Sequence, residues 1–115
     1  MINLQWIKCT DNVWCDLMAL NLESIGNISG VYVIWHGGQN PTWVRIGSGN
    51  IGERLSAHRN DPQITSFSPH GLLVTWAAVP AFQQLGVEAY LAAQCNPLVG
   101  ERFPDRTPIE VNIPQ

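Results

Sequence analysis

The sequence predicts a small α/β domain: a mainly antiparallel three-stranded sheet flanked by helices. Two runs rich in β-branched and aromatic residues, GVYVIWHG (30–37) and TWVRIG (42–47), are separated by a stretch that opens on Gly-Gly and ends at Pro41. A third such run, LLVTWAAV (72–79), lies between Gly71 and Pro80. Two stretches of helix formers, 51–60 and 87–95, each end at an X-Pro pair, Asp61-Pro62 and Asn96-Pro97. The order is therefore strand, strand, helix, strand, helix.

Taken in order, residues 1–29 carry a short helical stripe of Trp14, Leu17, Met18 and Leu22, broken at Gly26-Asn27, and are expected to form a leader that packs on the domain. Residues 30–37 and 42–47 should pair as an antiparallel hairpin. Helix one follows Gly49-Asn50, strand three is bounded by Gly71 and Pro80, and helix two closes the 30–100 core. The tail, 101–115, surrounds the run IEVNI with three prolines, which leaves it either an edge strand or an ordered extension.

Length and composition bound the function. A chain of 115 residues is the size of one domain, and 45% apolar against 13% charged residues lets burial offset the ordering of the backbone. Five tryptophans read first as packing or interface anchors, which leaves room for a homodimer. A net charge of −3 argues against non-specific coating of nucleic acid, so any such site must be local. Cys9, Cys15 and Cys95 cannot all pair within the chain and show no C-x-x-C spacing, which fits a reducing, cytoplasmic setting. The first residues have no basic stretch followed by an apolar run, so neither export nor membrane insertion is expected.

Several residues carry chemistry. Gly47, Gly49 and Gly52 match G-x-G-x-x-G between a strand and a helix, a spacing shared with dinucleotide-binding loops. The chain lacks the acidic residue about 20 positions on that such loops use, so a cluster of turn glycines is the better reading. Arg54 and His58 are four apart and share one helical face. Residues 45–59 hold Arg45, Arg54 and Arg59, three of the six basic residues, against the single acid Glu53, which marks a candidate phosphate-binding face. Glu88 stands in register with Leu91, Ala92 and Cys95. Either it occupies the stripe facing the core and needs a partner or a metal, or it is a first-turn acid turned to water. His36 and His70 read as surface residues, since neither has a second ligand at metal spacing along the chain.

GVY at 30–32, RIG at 45–47, ERLSAHR at 53–59 and VEAYLAAQCNP at 87–97 follow the order of motifs in the GIY-YIG endonuclease family, which this chain resembles over roughly residues 28–100. The resemblance implies a metal-dependent endonuclease that hydrolyses a phosphodiester bond of DNA. It carries Tyr32 over as the first catalytic tyrosine, Arg54 as the helix-one arginine, His58 as the residue one turn on, and Glu88 as the holder of Mg²⁺ or Mn²⁺. Tyr32 and His58 both stand as candidate bases, and Arg54 as the guanidinium that meets the phosphate.

Arg45 replaces the second tyrosine of YIG and is carried with the catalytic group. Gly47, Ser48, Arg59 and Asn112 complete the expected substrate-binding set, Asn112 because Gly100 stands where the family has asparagine. These replacements leave open an alternative: a catalytically weakened module of the same fold that binds nucleic acid or protein. A nucleotide cradle built on GSGNIG is a third reading.

Overall fold

Every residue from Gly30 to Ile34 is buried, a pattern that only an interior strand covered on both faces produces. In the computed structural model, which describes residues 1–100 and 104–114, this strand lies inside a four-stranded antiparallel sheet. In chain order the elements are β1 (Cys15–Asp16), β2 (Ser29–His36), β3 (Thr42–Asn50), α1 (Ile51–Arg59), α2 (Pro62–Thr65), β4 (Leu72–Ala78) and α3 (Ala81–Cys95), and the strands lie side by side as β1-β4-β2-β3. The expected three strands are all present. The fourth, β1, is a two-residue edge strand in which Cys15 pairs with Val74 and Asp16 with Leu73.

β1 replaces the helical stripe expected before Gly26, and tertiary partners explain why. Cys9 and Cys15 form a disulfide around a turn in which Asp11 and Asn12 have positive φ. Leu17 donates to the Leu72 carbonyl, and Arg59 binds the carbonyls of Leu17 and Leu20. These constraints hold the segment against the sheet edge and outweigh a weak local helical preference. Two of the three cysteines thus pair with each other, and Cys95 is the free, buried thiol. Among the described residues no helix is long and apolar enough to cross a membrane.

The two faces of the sheet carry separate cores. Tyr32, Ile34, Leu72, Val74 and Trp76 pack with Ile51 and Leu55 of α1. Val31, Val33 and Ile46 pack with Val87, Leu91 and Cys95 of α3. A bulge sits where Ile34 pairs with Arg45 and Trp35 with Trp43, so Val44 is the extra residue of β3 and joins the α1-side core. Val44 also accepts from the amide of Val99, and Trp43 from that of Leu98, so the chain after α3 covers this part of the sheet edge.

Helix two begins earlier than its pattern predicts, at Ala81 rather than 87, and runs through Gly86. A Cβ at Gly86 would come within 2.7 Å of the Ile109 side chain, and the Gly86 carbonyl accepts from the Ile109 amide at 3.0 Å. Glycine is there to admit the tail. The G-x-G-x-x-G run crosses from β3 into α1 in an antiparallel hairpin, without the parallel strands that a dinucleotide fold requires.

The described part of the tail, 104–114, is an ordered extension and not a strand. Val111 makes a single parallel bridge to Ile2. The Asn112 amide pairs with the backbone of Leu4 in both directions, accepting from its N–H at 2.5 Å and donating to its carbonyl at 3.0 Å, while the Asn112 carbonyl accepts from the Trp6 indole at 3.0 Å. Asn112 thus ties the two ends of the chain together. Asn112→Ala removes both side-chain bonds and is expected to cost about 2 kcal/mol, seen as a Tm lower by roughly 5–10 °C. Hydrogen exchange at Leu4 should rise in the same variant, and unchanged exchange there would contradict this role.

Candidate active site

The centre of the candidate site is a bond between two groups 26 positions apart. Tyr32 is fully buried, and its hydroxyl lies 2.5 Å from His58 Nε2. A buried phenol needs an acceptor for its proton, so Nε2 accepts and the imidazole proton lies on Nδ1. The sequence provides for this locally. Tyr32 pairs across the strands with Gly47, where any Cβ would strike the Tyr32 ring and hydroxyl. His58, on the last turn of α1, is brought over the same face by the buried anchors Ile51 and Leu55.

α1 starts cleanly because the Asn50 side chain accepts from the Glu53 amide at 3.0 Å. Before it, Gly49 adopts φ +122°, a conformation that disfavours any side chain. The aliphatic stem of Arg54 passes close by, within 3.7 Å of where a Cβ at Gly49 would sit. The Arg54 side chain is exposed, whereas Arg45 on β3 is half-buried.

Glu88 belongs to the inward stripe of α3 and is only 8% exposed. The first-turn, water-facing reading is thereby set aside, since the helix starts seven residues earlier. Ser48 Oγ donates to Glu88 Oε1 at 2.7 Å, which orients the carboxylate toward β3.

Two electrostatic facts join these pieces. His58 is pushed down to about 4, chiefly by burial, then by the positive charges of Arg45 and Arg54, with Asp61 acting weakly the other way. It is neutral at pH 7. Burial raises the Glu88 pKa, while the Ser48 hydroxyl bond, Arg45 and Arg54 pull it back. The same two arginines act on both groups, although α1 and α3 cover opposite faces of the sheet. The site therefore wraps around β3, the edge strand.

Of the residues expected from sequence, Tyr32, Gly47 and His58 meet on one face of the sheet and Ser48 and Glu88 on the other, and the charges of Arg45 and Arg54 act on both His58 and Glu88. Arg59 does not join them as a substrate ligand: its Nε donates to the Leu17 carbonyl at 2.7 Å and its other donor binds the Leu20 carbonyl. Asn112 is engaged with Leu4 and is likewise removed from the substrate-binding set. Asp61 was not among the expected residues. It follows His58 by three positions and caps α2, accepting from the Gln63 amide at 2.9 Å, a spacing visible in sequence.

A cation here would rest on Glu88, since among the described residues no three His, Cys, Asp or Glu side chains assemble a metal site. An oriented carboxylate fits Mg²⁺ or Mn²⁺, because Mg²⁺ is commonly held by one or two carboxylates with water and substrate phosphate completing its shell.

The depressed His58 pKa has a signed consequence for stability. The unfolded ring, near 6.5, takes up a proton that the folded ring refuses until about pH 4. The His58 contribution is thus fully present above pH 6.5 and is lost as pH falls toward 4, by on the order of 2 kcal/mol. Denaturant melts at pH 7, 5.5 and 4 should show this loss in the wild type and a flatter profile in His58→Gln. Parallel profiles would remove His58 as the cause.

Comparison of the chain with family models, with curated proteins and with solved structures finds no match in any of the three.

Proposed function

We propose that this protein is a GIY-YIG-like, metal-dependent endonuclease that hydrolyses a phosphodiester bond of DNA. The observation that carries the reading is the Tyr32–His58 bond on one face of β3 and the Ser48-held Glu88 on the other, with the charges of Arg45 and Arg54 acting on both. These are the residue types that in-line attack of water on a phosphodiester needs: a proton acceptor, cations for the phosphate and a hard carboxylate.

The chain's own groups divide the work. Arg54, exposed and planar, takes the phosphate, and Arg45 sits behind it as a second charge. Negative charge bound between them offsets their effect on His58, so the substrate raises the basicity of the ring that receives the proton. Tyr32 is enclosed and its hydroxyl holds His58 Nε2 in place; a proton taken from the attacking water by the phenol oxygen would pass the hydroxyl proton on to Nε2, leaving Tyr32 neutral and His58 charged. Glu88, held by Ser48, is the ligand for Mg²⁺ or Mn²⁺. When bound, such an ion neutralises charge on a non-bridging phosphate oxygen.

One observation favours a second reading, a binding module with weakened catalysis. Tyr32 has no exposed surface, Arg45 stands in place of the second tyrosine, and Asn112 is engaged with Leu4 instead of the site.

Cleavage of labelled single- and double-stranded DNA and RNA with Mg²⁺ or Mn²⁺ separates the two. The nuclease reading expects activity that is lost with EDTA, reduced about 100-fold or more in Glu88→Ala, and reduced about 10- to 100-fold in Arg54→Lys, with both variants folded. Binding that survives EDTA, without cleavage by the wild type, establishes the module instead. Binding in either case should weaken with salt through the few arginine contacts available.

A further inference from the structure

We infer that His36 and His70 form a two-histidine site for a divalent transition cation of the zinc class, apart from the Glu88 patch. The two residues are 34 positions apart, and the fold brings their ring centres to 5.3 Å with an interplanar angle of 38°. With a zinc–nitrogen bond of about 2.1 Å and about 1.1 Å more to the ring centre, two imidazoles on one tetrahedral ion have their centres about 5.2 Å apart. The observed spacing is that of a chelating pair.

His36 is also prepared as a ligand. Its Nδ1 lies 2.8 Å from the Gly37 carbonyl oxygen. That oxygen can only accept, so the ring proton is on Nδ1 and the lone pair is left on Nε2. Metal-binding histidines are commonly oriented by this bond to a backbone carbonyl. Phe67 stacks on His36 with ring centres 5.3 Å apart and planes 6° apart, which fixes the plane of the ring.

The backbone beneath both rings is held firmly. His36 is the last residue of β2, paired with Leu72, and the Gly37 amide donates to the Gly71 carbonyl at 3.0 Å. His70 ends a short 3-10 turn that closes into Gly71 at φ +82°. Gly38, at φ +87°, lies against the His70 ring, where a Cβ would approach Nδ1 to 3.4 Å. The cleft between them is also lined by Gln39 and Asn40, whose amide oxygens and incoming water can complete the coordination shell. Imidazole nitrogen selects zinc, nickel or copper over magnesium, which prefers oxygen. The site and the Glu88 carboxylate therefore take different ions, and this inference stands independently of the nuclease reading.

The test is zinc binding by untagged protein in calorimetry, with Mg²⁺ present in large excess over protein to occupy oxygen-ligand sites. The wild type is expected to bind one equivalent, with affinity lowered at least tenfold in His70→Ala and in His36→Phe, and unchanged in Glu88→Ala. His36→Phe keeps an aromatic ring against Phe67, so loss of affinity in a variant whose circular dichroism and Tm match the wild type reports the missing nitrogen and not misfolding. Absence of zinc binding by the wild type overturns the inference, as does equal affinity in either histidine variant or loss of binding in Glu88→Ala.

Discussion

The fold and the candidate site both depend on enclosing the Tyr32 hydroxyl. A phenol with no solvent contact, in a strand covered on both faces, must find a hydrogen-bond partner inside the protein. His58 is that partner. This one bond requires glycine opposite, at 47, and requires α1 to lie over the β2 and β3 face with the His58 side of its last turn inward. Once α1 is there, Arg54 emerges beside Gly49 and meets the field of Arg45 from the strand. The cationic patch is thus a geometric consequence of burying a polar group in the core.

Burial and charge then act with different signs on the two titrating groups. Desolvation favours the neutral form of each, lowering His58 and raising Glu88. The arginines reinforce the first shift and oppose the second. An uncharged imidazole on one face of β3 and a carboxylate pulled back toward ionisation on the other, both within the field of Arg45 and Arg54, make an edge suited to an anion. A cluster of lysines without burial would attract phosphate equally but would leave no neutral base beside it.

Around this centre, polar side chains whose types resemble ligands serve as staples. Arg59 binds two carbonyls of the segment before the 3-10 turn Leu22–Ile25, and Asn112 pairs with both backbone groups of Leu4. Residues 1–28 have little regular structure and cannot satisfy their backbone groups through long ladders or helices. Side chains from α1 and the tail do so in their place, and the Cys9–Cys15 bond closes the remaining loop.

The elements with strong local signals were legible from sequence: the hairpin, α1 stopped by Asp61-Pro62, and β4 between Gly71 and Pro80. The Tyr32–His58 bond joins two residues that the resemblance had placed in one group. Other features belong to tertiary structure alone. β1 exists because β4 offers an edge, which Ile7 and Leu17 also bond, and because a disulfide ties Cys15 to Cys9. The start of α3 was hidden because Gly86 reads as a breaker until Ile109 is seen against it. Arg59 and Asn112 have the chemistry of phosphate ligands, and only distance decides that they bind backbone. His36 and His70 look like isolated loop residues along the chain, yet antiparallel pairing of β2 with β4 sets them face to face. Local sequence determines which segments form helix and strand, since propensity and turn chemistry act over a few residues. The partners of a polar side chain are decided by contacts between segments far apart in the chain, which no local pattern records.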